Sequence, residues 1–207
     1  MPSESGTRDR RQAKTRDAIL HAAKELLLER GLDGFSLREV ARRAEYSPAA
    51  MYTYFCDVDD LLAEMGKASL EQLGAYLEAV DARLAPSERL VALGEAYLRF
   101  AEERADEYAI AFERLTLPAA GWEHFAHVAY PFTLIADVCV EGVVAGAFEP
   151  CPGFGPTEMA YGMWCLMHGA VALRRRMLAE LTDDLHGVQL EALRAYVTGI
   201  STKGDLR

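Results

Sequence analysis

Apolar residues recur at helical spacing along almost the whole of this chain. Between Thr15 and Arg30 they occupy positions i, i+3, i+4, i+7 and i+8 of one helix face, namely Ile19, Ala22, Ala23, Leu26 and Leu27. Gly31 then supplies a helix stop. No alternation of apolar and polar residues competes with this spacing, so the chain is predicted to be all-α with about nine helices. After the first, helices are expected at 36–44, 47–54, 58–85, 88–103, 106–115, 131–148, 157–181 and 183–200, with a Pro- and Gly-rich loop at 149–156.

The formal net charge of −10 is unevenly distributed. Residues 1–56 hold 10 Lys and Arg against 8 Asp and Glu, a net charge of +2, and residues 57–207 carry −12. A phosphate contact is screened within about 10 Å at physiological salt, so an acidic body that faces away from DNA costs little binding energy. The overall charge therefore does not exclude a nucleic-acid partner.

The composition also bears on compartment and cofactors. The chain has no stretch of 18 uncharged apolar residues, and its polar first residues lack the apolar run of a signal peptide. The cysteines lie far apart without a C-x-x-C pair, which favours free thiols over zinc ligands or disulfides; they are Cys56, Cys139, Cys151 and Cys165. We therefore expect a cytoplasmic protein with no membrane association, no cofactor and no metal.

Two short helices are predicted to meet across a tight turn. Ser36, with Glu39 three residues later, has the capping-box pattern at the start of the first. Ser47 can cap the second, in which Pro48 takes the first helical position. This is the helix-turn-helix arrangement, in which the second helix enters the major groove of DNA.

The second helix of this pair has a face suited to DNA. Met51 and Phe55, at i and i+4, are predicted to face inward. The outward side then carries Ala49, Ala50, Tyr52, Thr53 and Tyr54. Small residues permit close approach, and hydroxyl groups reach phosphates. Basic residues that could add phosphate or minor-groove contacts are Arg38, Arg42 and Arg43 on the preceding helix and Arg8, Arg10 and Arg11 in a flexible arm.

The stretch from Thr15 to Leu62, above all SLREVARRAEYSPAAMYTYFCDVDDLL, resembles the head of the TetR family of repressors. It carries that family's Phe-Ser-Leu-x-x-Val-Ala, Ser-Pro-Ala-Ala-Met-Tyr and Tyr-x-x-Phe elements in order. By this resemblance, the residues that fall where the family touches DNA are Ser36, Arg38, Ser47, Ala49, Ala50, Tyr52 and Tyr54. Pro48 and Thr53 complete the predicted DNA-binding set.

Two positions depart from the family pattern. Glu45 stands in the turn where the family usually has Gly, which predicts a strained or altered turn and a negative charge near DNA. Val58 stands where a phosphate-contacting Lys usually opens the next helix, and acidic residues flank it. The N–H groups of that helix end can still be expected to point at a phosphate.

Aromatic and thioether residues are concentrated in the middle of the chain. Most such stripes are packing, but polar groups among them are typical of a small-molecule site. The predicted ligand-binding set is Tyr97, Phe100, Tyr108, Phe112, Phe125, Met163, Trp164, Met167 and His168. The segment Trp164-Cys-Leu-Met-His-Gly169 resembles the C-terminal domain of the TetR subgroup named for Trp, His and Gly. His168 either lines a cavity or bonds across the core.

The last two predicted helices carry apolar stripes, and Gly162 and Gly169 would let backbones approach closely. The stripes are Met163, Met167, Ala170 and Val171, then Leu185, Leu193, Tyr196, Val197 and Ile200. The family resemblance implies that these helices form a homodimer, which two half-sites about 34–36 Å apart require. The alternative is that both stripes pack only within the chain.

These features predict a flexible basic arm at 1–14, a helix-turn-helix domain at 15–60, and a helical ligand-binding and dimerisation domain at 61–203. The expected function is that of a repressor that leaves a palindromic double-stranded DNA operator when a small hydrophobic or aromatic effector binds. An activator of the same family and an all-helical protein-interaction module remain alternatives. An enzyme is not expected, because Cys165 and Ser47 lack nucleophile motifs and the histidines at 124, 127 and 168 lack metal-ligand spacing.

Overall fold

The structure, a computed structural model, describes residues 4–32, 34–114, 130–179 and 185–202. Within these residues there are nine α-helices and no β-strand, which confirms the predicted all-α class. The helices are α1 (Glu4–Arg30), α2 (Leu37–Arg43), α3 (Pro48–Met51), α4 (Val58–Glu78), α5 (Pro86–Glu103), α6 (Ala105–Ala109), α7 (Tyr130–Val144), α8 (Pro156–Arg176) and α9 (Leu185–Ile200). α6 continues into a π-helical segment, Ile110–Arg114.

The described residues form two compact units. The head unit comprises the residues up to Ser69 together with 106–114, and the body unit comprises 70–105, 130–179 and 185–202. The predicted boundary between residues 60 and 61 therefore lies inside α4.

The core of the head unit is built on the apolar stripe of α1. All five residues of that stripe are buried, and they pack with the buried face of α2 and with Met51 and Phe55. Ile110 of the π-helical segment is buried in the same cluster. Lys24 on α1 forms an ion pair with Glu107 on α6 at 2.6 Å, and the buried Ser69 on α4 donates to the same carboxylate at 3.0 Å. Sequence periodicity did not predict that α6 packs with the head.

The first helix begins well before the predicted start. Residues 4–14 are helical, so the segment that we expected to be a flexible arm continues α1 toward the N-terminus. This stretch has no apolar stripe, but Arg, Gln, Ala and Lys have good intrinsic helix propensity. A helix already nucleated by the buried part of α1 can extend through such residues at little cost.

Other helix ends differ for local reasons. α4 ends at Glu78 rather than near Pro86, because Asp81 accepts a hydrogen bond from the backbone N–H of Arg83 at 2.9 Å and forms a turn. α3 ends at Met51, and the chain continues to Phe55 in tight turns.

The body unit is a bundle in which α5 packs against α7, α8 and α9. Gly94 permits this approach, since a β-carbon there would lie 2.6 Å from the Met163 side chain and 2.7 Å from that of Leu193.

Buried Cys139 lies on α7, and burial raises the pKa of its thiol to about 12. All four cysteines are free thiols, as predicted. None of the described helices is both long and apolar enough to cross a membrane.

The apolar stripes expected at a dimer interface lie mostly inside one chain. Met163, Met167 and Val171 of α8 are buried, and so are Leu193, Val197 and Ile200 of α9. Gly162 serves the same internal packing, because a β-carbon there would clash with the Tyr196 hydroxyl. The assignment of these six residues to a second chain was therefore wrong, since the strongest apolar periodicity marks the face toward the chain's own core.

Candidate nucleic-acid interface

Side-chain caps fix the starts of α2 and α3. Ser36 Oγ accepts a hydrogen bond from the Glu39 N–H, and Ser47 Oγ accepts one from the Ala50 N–H, both at 3.2 Å. Both predicted caps are confirmed. Because each hydroxyl oxygen acts as the acceptor in its cap, its own proton remains available for a further bond.

The faces of α3 are divided as the spacing predicted. Met51 and Phe55 are 0% and 1% exposed, whereas the Tyr52 side chain on the opposite side is 64% exposed. Of the remaining predicted residues, Pro48, Ala49 and Thr53 are exposed, and Ala50 and Tyr54 are half-buried. Thr53 donates its hydroxyl proton to the Ala50 carbonyl. The predicted residues on this segment are therefore all at least partly exposed, whereas Met51 and Phe55 are buried.

The three arginines of α2 are in different states. Arg42 binds Glu39 at 2.6 Å, which lowers the pKa of that carboxyl, and Arg43 binds Glu29 in the same way. Glu39 was expected to complete a capping box, but its carboxylate is held by Arg42 and Arg30 instead. Arg38 is exposed and makes no ion pair within the described residues. It is therefore the α2 cation that is most available to a phosphate.

The turn between α2 and α3 is strained at Glu45. This residue has φ of 60°, in the left-handed region that favours glycine. The Tyr46 N–H donates to the Ala41 carbonyl at 2.9 Å, which is the bond that closes a Schellman motif after α2. The turn expected for glycine is therefore formed with glutamate, as the sequence departure suggested.

The start of α4 is capped from within the chain. Asp57 Oδ1 accepts a hydrogen bond from the Asp60 N–H at 2.8 Å, and Asp60 Oδ2 accepts one from the Cys56 N–H at 2.9 Å. We had expected the N–H groups of this helix end to point at a phosphate. The Asp57 carboxylate already accepts a bond from one of these groups and places a negative charge beside them, which disfavours phosphate binding there.

The predicted ligand residues lie in both units. Tyr108 and Phe112 belong to the head unit, where their rings lie 5.0 Å apart. Tyr97, Phe100, Met163 and Met167 in the body unit are each 0% exposed and form part of its core. Phe125 lies outside the described residues.

His168 is joined to an aromatic cluster in the body unit. Its Nδ1 lies 2.8 Å from the Tyr97 hydroxyl, and its ring stacks on Trp164 with an interplanar angle of 13°. Trp164 also meets Tyr97 edge-on at 5.4 Å. Of the two roles considered for His168, this geometry supports the hydrogen bond across the core.

Comparisons with known proteins agree with these features. A family model for bacterial regulatory proteins of the TetR family matches residues 19–65. A second model, for the tetracycline repressor-like C-terminal domain, matches residues 90–193, just over half of the chain. The chain belongs to the TetR family. Since the family consists of regulatory proteins and not enzymes, the expectation that this TetR-family protein is not an enzyme is confirmed.

Several relatives of this TetR-family protein are similar over different lengths. An uncharacterized HTH-type transcriptional regulator of Haemophilus influenzae is 42% identical over 62 residues, and the match spans 30% of each chain. A protein of unknown function from Rhodococcus sp. RHA1 has 25% identity and a TM-score of 0.75, over 91% of this chain and 96% of that one. A TetR-family regulatory protein from Rhodococcus RHA1 has the same fold, with 20% identity and a TM-score of 0.70 over 90% and 97% of the two chains.

The structure of this TetR-family protein adds two concave surfaces that sequence reasoning missed. One is a cleft of about 370 Å³ in the head unit between the first turns of α1 and the α2–α3 segment, lined by Arg11, Gln12, Thr15, Tyr46, Ala50, Thr53 and Tyr54. The other is a cavity of about 250 Å³ in the body unit, lined by Leu98, Ala101, Glu102, Ala105, Val171, Arg174, Arg175 and Gln189. None of the predicted ligand residues that the structure describes lines the second cavity. A signal for the first was the basic segment before Thr15, which we had interpreted as an arm.

Proposed function

We propose that the protein is a homodimeric repressor that binds a palindromic operator through α2 and α3 and is released by a small apolar ligand. The observation that carries the proposal is the exposed side of α3. Small and hydroxyl side chains project there from a short helix that is capped at its start and anchored underneath by Met51 and Phe55. A rigid, narrow element of this kind suits the major groove.

The side chains divide into base-reading and phosphate-binding groups. The methyl groups of Ala49 and Ala50 are suited to contact thymine methyls, and the exposed Tyr52 can reach base edges or the backbone. The capping hydroxyls of Ser36 and Ser47 have a proton to donate to a phosphate. Arg38 would supply the charge.

The outer faces of α8 and α9 are suited to the second chain. On α8, Tyr161 and Leu173 are 53% and 49% exposed, and Cys165 and Gly169 lie between them at intervals of four residues. A β-carbon at Gly169 would meet nothing within 4 Å, so that this glycine has room for a partner helix rather than an internal contact. On α9, exposed residues spaced by four, three and four positions lie on one face, namely Val188, Ala192, Ala195 and Gly199. We name these eight residues the outer face.

The effector would act from the body. The cluster of Tyr97, Trp164 and His168 supports membership of the Trp-His-Gly subgroup. An apolar or aromatic ligand is proposed from the aromatic and thioether composition of this region, not from the cluster's geometry. A coupling free energy of about 1–3 kcal/mol between the sites would change operator affinity roughly 5- to 150-fold. The ligand must bind one conformation more tightly than the other for this to occur.

The test is selection of bound fragments from random duplex DNA by the purified protein at two salt concentrations. An enriched inverted repeat is expected, because a two-fold dimer presents two copies of α3. The protein with Tyr52→Ala should lose the enrichment, whereas Val144→Ala, a change at an exposed residue of α7, should keep it. Recovery of fragments without any shared sequence would contradict the proposal. A reporter gene placed behind the enriched repeat would then distinguish repression from activation.

A further inference from the structure

The head-unit cleft presents hydrogen-bond donors and a cation, and none of the described residues that line it is acidic. Arg11, Gln12 and Thr15 line it from α1, and Tyr46, Thr53 and Tyr54 line it from the α2–α3 segment. Arg11 and Thr15 are four residues apart and so lie on one face of α1. This cleft contains residues outside the predicted DNA-binding set.

The polar groups of the cleft are oriented by contacts within the head. The Tyr46 hydroxyl donates to Thr15 Oγ1 at 3.4 Å, a long hydrogen bond that joins α1 to the turn before α3. Thr15 keeps its own hydroxyl proton to donate. Arg11 is exposed and makes no ion pair within the described residues, and the half-buried Tyr54 makes no hydrogen bond through its hydroxyl there.

We propose that this cleft binds one backbone phosphate of duplex DNA, with Arg11 as the charged ligand and Gln12 and Thr15 as neutral donors. The inference rests on the proposed DNA binding and adds a contact that fixes the position of α3 along the groove. A site with one cation, several donors and no carboxylate is complementary to a phosphate diester.

Because residues 4–14 are helical, the proposed contact between Arg11 and a phosphate costs less entropy on DNA binding. In a flexible arm, Arg11 would have to be ordered when DNA binds, and that entropy cost would offset much of the contact. In α1 its backbone is already helical, and the same helix packs from Ile19 onward in the head core against which Tyr54 also packs. An extended arm in the minor groove is therefore not the role that we assign to Arg11.

The test measures the salt dependence of binding to a random-sequence duplex, so that no operator is needed. Arg11→Ala should weaken binding about tenfold, the loss expected for one charge-assisted hydrogen bond. It should also reduce the slope of log K against log salt by about 0.9 for each protomer. Arg11→Lys should restore the slope, because the charge is retained.

Two further variants distinguish phosphate binding in the cleft from a general attraction between the basic helix and DNA. Lys14→Ala removes an exposed cation of α1 that does not line the cleft, and it should change the slope much less than Arg11→Ala. Gln12→Ala removes a neutral donor, so it should lower affinity a few-fold and leave the slope unchanged. The three side chains changed in these variants, those of Arg11, Gln12 and Lys14, are exposed, and unchanged thermal midpoints would exclude loss of folding.

The outcomes distinguish this inference from the proposed function. If an inverted repeat is enriched but Arg11→Ala has the slope of the wild type or of Lys14→Ala, the phosphate cleft is overturned and the regulator stands. If Arg11→Ala lowers the slope on random duplex while no repeat is ever enriched, the cleft stands and specific operator recognition fails. Absence of any DNA binding would overturn both.

Discussion

Single residues decide how the recognition turn is formed. Glu45 holds a left-handed conformation that costs a residue with a β-carbon about 1–2 kcal/mol relative to an ordinary one. The Schellman bond from Tyr46 and the capped start of α3 hold the turn in place nonetheless. The head therefore keeps the turn geometry at the expense of some stability.

Glu45→Gly should stabilise the protein by about 1 kcal/mol, because relief of the left-handed strain exceeds the added entropy of glycine in the unfolded chain. Chemical denaturation measures this change. Glu45→Ala is the matched control, since it removes the same charge but keeps the β-carbon and should bring no gain. Both variants should bind DNA more tightly, and equal stability of the two would contradict the role of strain.

The bond between Tyr97 and His168 can be tested by removing one atom. Tyr97→Phe should lower the free energy of unfolding by about 1–2 kcal/mol, because it takes a buried partner from His168 Nδ1. Tyr76→Phe removes a hydroxyl that donates to Glu103 at an exposed bond and should cost much less. Equal losses in denaturant titrations would argue against a stabilising, part-buried bond at His168.

At the scale of helices, the sequence predicted the helix ends that depend on one residue and its near neighbours in the chain. The caps at Ser36 and Ser47 follow from the side chains at those positions and the stop at Gly31 follows from the lack of one, and the structure contains all three. The start of α1 could not be predicted from periodicity, because the sequence of residues 4–14 contains no apolar stripe. The head-unit cleft could not be predicted for the same reason, because it depends on the position of this polar part of α1 beside α3.

The cap of α4 links helix stability to DNA affinity. Asp57→Asn should keep the cap, since asparagine also accepts at this position, while removing a negative charge from the head. Its stability should be nearly unchanged and its DNA binding tighter at low salt. Asp57→Ala should bind DNA as well as Asp57→Asn but lose about 1 kcal/mol of stability with the cap. Thermal melts and DNA titrations of both proteins would check this, and weaker DNA binding by Asp57→Asn would refute the charge argument.

At the scale of the whole molecule, the fold class and the family were predictable, whereas the ligand site was not. Core and pocket residues have the same apolar character, so sequence cannot separate Tyr97 and Met163, which are fully buried, from residues that line a cavity. For the same reason the strongest stripes of α8 and α9 indicated the internal core, and the weaker outer face was overlooked.

The outer face predicts how dimerisation can be removed. Leu173→Glu should shift the protein toward monomers by at least tenfold in the dimer dissociation constant, because it places a charge in an apolar interface. Val144→Glu changes a residue of α7 that is 83% exposed and outside the outer face, and it should remain dimeric. Sedimentation at several protein concentrations measures both, and an unchanged Leu173→Glu dimer would place the interface elsewhere.

The most direct test of sequence-specific DNA recognition is the ratio of affinities for two duplexes at one salt concentration. One carries the inverted repeat enriched by selection, and the other carries the same bases in shuffled order. We predict a ratio of about 10³ or more in favour of the repeat, with two chains bound to each duplex. A ratio near one would contradict the account, because it would mean that the head binds phosphates without reading bases.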